Sequence, residues 1–169
     1  EFRRVLFRSP RYVNALTNHI HKYSDEQVNP QGAYDYSADY NPQFDFGFGL
    51  SYTSFEYTSL TTDKQNYSAT DTIHVQVKLR NKGSRDGKEV VQVYVSDLIA
   101  SLAPDVKRLR AFEKVSIPQG QETIVNLSIP VSSLSFITTD NRKLVEKGTF
   151  RLNVGNLRKE FEVTESRYF

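Results

Sequence analysis

The chain has no cysteine in its 169 residues, so neither a disulfide nor a thiolate ligand contributes to its fold. That absence does not fix the compartment, because many exported proteins also lack cysteine. No apolar run approaches the roughly 20 residues that a membrane-crossing helix needs. Helical periodicity is missing too. The one stretch that suits a turn of helix is residues 130–134, between two strand-like segments.

An excess of one charge is also missing once the start of the chain is considered. The first nine residues, EFRRVLFRS, read like the in-frame translation of a sequencing-adapter oligonucleotide. They lack the apolar run and the small-residue cleavage site of a secretory signal, so residues 1–9 are expected to be non-native. Setting them aside removes Arg3, Arg4, Arg8 and Glu1. Lys+Arg then falls from 22 to 19 and Asp+Glu from 20 to 19, and the formal charge of +2 becomes 0. A nucleic acid or an anionic membrane surface needs a sustained basic excess, so neither is an expected partner. The natural chain is expected to continue upstream of Pro10, where a signal peptide could lie.

What is present is a period of two. In TIHVQVKLRN, Ile73, Val75, Val77 and Leu79 share one face while His74, Gln76, Lys78 and Arg80 share the other, as in a half-buried strand. Asn81-Lys82-Gly83 reads as a turn in which Gly83 is free to take positive φ. EVVQVYVSD follows, β-branched on both faces, which suits a central strand. Further strands are expected over residues 107–115, 122–129, 149–154 and 161–165, separated by SIPQGQ, by residues 130–141 and by VGNLRK. Short strands at roughly 8–12-residue intervals predict an all-β sandwich of about 100 residues.

Residues 10–45 differ. They hold Tyr12, Tyr23, Tyr34, Tyr36 and Tyr40, few β-branched residues, and turn-forming pairs at Asn29-Pro30 and Asn41-Pro42. Such a stretch is expected to be an extended, aromatic-rich arm whose rings need another surface to bury against. It ends in FDFGFGLSYTSFEY, which begins at Phe44. Gly47 and Gly49 suit tight backbone passage, and Phe44, Phe46, Phe48 and Tyr52 suit anchorage by apolar burial.

This stretch resembles a signature of glycoside hydrolase family 3, the β-glucosidase and β-xylosidase family, at the point where a catalytic α/β-sandwich domain meets a fibronectin type III-like domain. Phe46, Gly47, Gly49, Leu50, Ser51, Tyr52, Thr53 and Phe55 match the pattern, with Phe48 at its variable aromatic place. GKEVVQVYVSD, VKRLRAFEKVSIPQGQ and EKGTFRLNVG are similar to further strands of that domain, and Pro10-Arg11 and His21-Lys22 resemble the end of the preceding one. Two residues depart from the pattern, Ala111 where glycine is usual and Lys147 where proline is common.

Beyond the adapter-like segment at 1–9, the resemblance implies the end of an α/β-sandwich domain with a linker arm at 10–52, and an immunoglobulin/fibronectin type III-like β-sandwich domain at 53–169. Phe46, Gly47, Phe48, Gly49, Leu50, Ser51 and Tyr52 then form the interdomain junction. It implies a retaining glycosidase as parent, with an Asp nucleophile and a Glu acid/base about 5–5.5 Å apart. Both are expected upstream of Pro10, so no catalytic residue, cofactor or metal is assigned within this chain. The implied partners are the upstream α/β-sandwich and barrel domains of the same chain and the parent's carbohydrate substrate, and the implied location is periplasmic or secreted. A free-standing carbohydrate-binding or adhesion module and a structural spacer remain open alternatives, since sandwiches host many functions.

Other candidates have simpler readings. Asp35 and Asp39 in YDYSADY could clamp a sugar or ligate Ca²⁺, but their spacing fits no helix–loop–helix calcium loop. His19 and His21 lack an evident third ligand for zinc. Gly49-Leu50-Ser51 begins like a nucleophile elbow, but Thr53 stands where the second glycine belongs. Lys107, Arg108, Arg110 and Lys114 could bind phosphate or an acidic glycan, and more simply form the wet side of an edge strand. Asn66-Tyr67-Ser68 and Asn126-Leu127-Ser128 are glycosylation acceptors if the source is a secreting eukaryote.

Overall fold

The computed structural model describes residues 49–102 and 107–169. Eleven strands follow one another: β1 Phe55–Thr62, β2 Asn66–Tyr67, β3 Thr72–Asn81, β4 Gly87–Asp97, β5 Arg108–Ile117, β6 Glu122–Pro130, β7 Phe136–Ile137, β8 Lys143–Val145, β9 Gly148–Val154, β10 Leu157–Val163 and β11 Arg167–Tyr168. A 3₁₀ turn at Val131–Leu134 follows β6, where the sequence allows a turn of helix. One sheet has the order β1-β3-β6 and the other β2-β10-β9-β4-β5, while β11-β8-β7 make a small third sheet. This is the expected all-β sandwich. The arm at residues 10–45 lies outside the described residues.

Alternation builds the core. Ile73, Val75, Val77 and Leu79 of β3 and Val125, Leu127 and Ile129 of β6 are buried against Val91, Val93 and Val95 of β4, Leu152 and Val154 of β9, and Phe161 and Val163 of β10. Phe161 stacks on Phe150 at 5.6 Å between ring centroids and takes the edge of Tyr67 at 5.7 Å. Tyr94 points away from that core yet is also nearly buried, with the Lys107 ammonium 4.9 Å from its ring centroid, which explains why β4 is apolar on both faces. β5 is a sheet edge, and its interleaved charges fit that place.

Three expectations need correction. VGNLRK is not a separator. Only Gly155-Asn156 turns, with Gly155 at φ 55°, and Leu157 already pairs with Val154, so β10 runs over Leu157–Val163 rather than 161–165. Lys159, in phase with the inward Leu157, Phe161 and Val163, breaks the apolar signal there. Residues 130–141 likewise contain β7 as well as turns. Gly83 does not take positive φ; a tight approach explains it instead, as described below.

A chain of residues 53–169 is expected to fold on its own and to melt in a single cooperative transition by circular dichroism and calorimetry. A broad, non-cooperative melt would place the domain boundary elsewhere.

Candidate functional site

The end of the junction stretch is tied into the sandwich by one asparagine. Asn81 is in phase with Ile73, Val75, Val77 and Leu79, so it faces inward, and it is the one buried polar residue among those described. A buried amide without partners is costly, and here all its capacity is used. Its Oδ1 accepts from the Thr53 hydroxyl at 2.7 Å and from the Gly83 N–H at 3.1 Å. Its Nδ2 donates to the carbonyls of Arg85 at 2.7 Å and Ile117 at 3.0 Å. Its backbone N–H donates to Gln121 and its carbonyl accepts from Gly120.

Two glycines make room for Thr53. A Cβ on Gly83 would lie 2.0 Å from the Thr53 Oγ1 and 2.8 Å from the Ser54 nitrogen, and one on Gly87 would lie 2.4 Å from the Thr53 Cγ2. The Lys82 N–H then donates to the Ser54 carbonyl at 2.8 Å, just before β1 pairs with β3 from Phe55↔Asn81 onward. Thr53 is thus held by a hydrogen bond and by the close backbone approach that both glycines permit.

Of the junction residues, Phe46, Gly47 and Phe48 lie outside the described residues. Gly49, Leu50, Ser51 and Tyr52 are described, and all four are exposed, Tyr52 at 96%. Asn81 is hard to recognise as an anchor from sequence because Asn81-Lys82-Gly83 also has turn chemistry. The inward period running from Ile73 to position 81 carried the signal.

A second polar contact lies beside this end. The Tyr57 hydroxyl donates to the Glu89 Oε1 at 2.8 Å, and the Tyr57 ring covers Gly155, where an added Cβ would come within 2.8 Å of it. Burial pushes the Glu89 carboxyl above its ordinary range, only partly offset by the bond from Tyr57, and burial and Glu89 together push the Tyr57 hydroxyl up as well.

A second such contact, in which the Tyr67 hydroxyl donates to the Asp63 Oδ1 at 2.7 Å, differs in the direction in which its carboxyl is shifted. Desolvation, then the bond to Asp63, raises Tyr67 to about 12. Desolvation also works to raise Asp63, but bonds from the Tyr67 hydroxyl and the His74 backbone N–H outweigh it and hold the carboxyl low.

The remaining candidates are dispersed. Asp35, Asp39, His19 and His21 lie outside the described residues, among which no group of three or more His, Asp or Glu is placed to hold a metal. The basic cluster divides, with Lys107 over the Tyr94 ring, Arg108 and Arg110 lining a cavity, and Lys114 exposed. Asn126 accepts from the Gln76 amide across β3 and β6.

Residues 89–157 match the fibronectin type III-like domain family. The chain is 38% identical over 125 residues to a β-xylosidase of Formosa agariphila, covering 74% of this chain and 17% of that protein. It is 29% identical over 152 residues to a periplasmic β-glucosidase of Salmonella typhimurium, covering 86% of this chain and 20% of that protein. The crystal structure of a β-glucosidase from Listeria innocua in complex with gluconolactone superposes with a TM-score of 0.77 at 28% identity, over 92% of this chain and 23% of that one. The chain therefore spans about a fifth of the length of these relatives.

Two substitutions test the polar contacts. Asn81→Ala leaves the Arg85 and Ile117 carbonyls without their partner and is expected to cost about 3 kcal/mol or more by denaturant melts, well beyond a surface change. Glu89→Gln keeps an acceptor for Tyr57 and removes a desolvated charge. Because the folded carboxyl is raised, the wild-type penalty appears as pH rises through and above the ordinary glutamate range. E89Q is therefore expected to raise Tm at pH 7 and to lose that advantage below about pH 4. A pH-independent difference would contradict this assignment.

Proposed function

The chain carries the fibronectin type III-like domain of the family 3 glycoside hydrolases, and from that membership we propose that it is the non-catalytic C-terminal part of a retaining β-glucosidase-type exo-glycosidase. The sandwich buttresses the catalytic domains, and residues 46–52 connect the two. The observation that carries this reading is the asymmetry at the junction. Thr53 is fixed by Asn81, Gly83 and Gly87, while Leu50 and Tyr52 just before it present apolar surface outward. A connection fixed on one side with exposed aromatic surface on the other suits a second domain that covers it.

On this reading the domain limits are 10–52 for the end of the α/β-sandwich with its arm and 53–169 for the sandwich described here. The partners are the upstream domains of the same polypeptide. The substrate is a β-linked glucoside or xyloside, as the names of the relatives suggest. The nucleophile and the acid/base belong to the upstream domains, with the carboxylate pair a retaining mechanism requires. A periplasmic or secreted location is favoured by the relative named for the periplasm. Among the described residues no helix is long and apolar enough to cross a membrane.

The test has two arms. The 169-residue chain is expected to release no chromophore from aryl β-glucosides or β-xylosides above a buffer blank. The source DNA read upstream of the Pro10 codon is expected to continue an open frame, whose full-length product hydrolyses one of them. Turnover by the short chain, or a start codon next to Pro10, would overturn the proposal.

A further inference from the structure

The end of the sandwich away from Thr53 holds a cavity of about 340 Å³. The pairing of β4 with β5 places it there, since Gly87↔Ile117 lies beside the clamp and Val95↔Arg108 at the opposite end. Asp97 of β4, Arg108 and Arg110 of β5, Ser135 after the 3₁₀ turn, and Phe136 and Ile137 of β7 line it, with apolar side chains of the core edge behind them. Its size falls within the range of roughly 300–1,000 Å³ common for small-molecule sites, and its mix of an apolar wall with a few polar groups matches them.

Charge decides the ligand class. The two arginines would attract an anion, but Asp97 on the same wall and Glu146 close enough to act on Asp97 electrostatically oppose it. A cation meets the reverse balance. A neutral polyhydroxylated ring uses both signs at once: its hydroxyls donate to the Asp97 carboxylate and accept from guanidinium N–H groups, and its C–H face lies on Phe136. A guanidinium has five N–H donors, so an arginine engaged elsewhere can still serve. Strand and turn ends fix these groups, and Ile137 on the rim is half exposed, leaving an approach from solvent.

We propose that this cavity is a binding site for a neutral pyranose unit of the glucose or xylose class. The choice of sugar rests on the glycosidase reading above, while the neutrality and size of the ligand rest on the cavity alone. Such a site would hold one unit of a saccharide at the far end of the sandwich from the junction.

The test is titration of the ¹⁵N-labelled chain with cellobiose, xylobiose and, as an acidic comparison, glucuronate. Saturable amide shifts are expected with a neutral disaccharide, confined to the neighbourhood of Asp97, Arg108–Arg110 and Ser135–Ile137, and weaker with glucuronate. Phe136→Ala and Asp97→Asn are expected to weaken binding about tenfold or more. Ile137→Glu, a change at an exposed rim position that should leave the melt unaltered, is expected to block it. No shift with either disaccharide, shifts on another face, or tighter binding of glucuronate would each overturn the proposal. Glycosidase activity in the full-length protein without binding here would overturn this site and leave the functional reading intact. Binding here with no upstream catalytic frame would do the reverse.

Discussion

Asn81 is the constraint on which the junction end of the sandwich depends. Two sheets pressed together by apolar side chains have no intrinsic reason to end in one particular way, because burial is non-directional. Directed bonds supply the reason. One amide joins the entering chain at Thr53, the β3–β4 connection at Gly83 and Arg85, and the end of β5 at Ile117, and the same residue's backbone holds the β5–β6 turn. Each partner would otherwise need water or a neighbour of its own. Gly83 and Gly87 are small because Thr53 must reach that amide.

Two tyrosine–carboxylate contacts fasten the edges of the same sandwich with opposite electrostatic outcomes. Glu89 is half-buried with little help beyond Tyr57, so its charged form is disfavoured. Asp63 receives both a hydroxyl and a backbone N–H, and its charged form is favoured although desolvation pushes the other way. The difference lies in donor count rather than in residue type. The first links β1 to β4 and the second links Tyr67 of β2 to Asp63 at the end of the β1–β3 ladder, so each joins elements of different sheets.

Most of the sandwich is legible in the sequence because its strands alternate. β3 and β6 show a clear period of two, and β4 shows the double-sided apolar run of a covered strand. The start of β10 is not legible because Lys159 occupies an inward position, and β2, β7 and β11 are two residues long, too short for any period to appear. The candidate site was legible in part. The junction motif drew notice to residues 46–52, but the clamp lies on partners 28 and more positions away, and only the phase of Asn81 hinted at them. The cavity assembles from β4, β5 and β7, so no local pattern marks it.

The latch at Thr53 also has a mechanical side. Tension arriving from the upstream chain enters the sandwich at Thr53, two residues before β1 begins. Without the latch it would peel β1, an edge strand, away from β3 one ladder bond at a time. With the latch, the load passes through Asn81 into β3, which is flanked by β1 and β6 and shares it with both. A tether placed this way resists pulling by loading several bonds together rather than one after another.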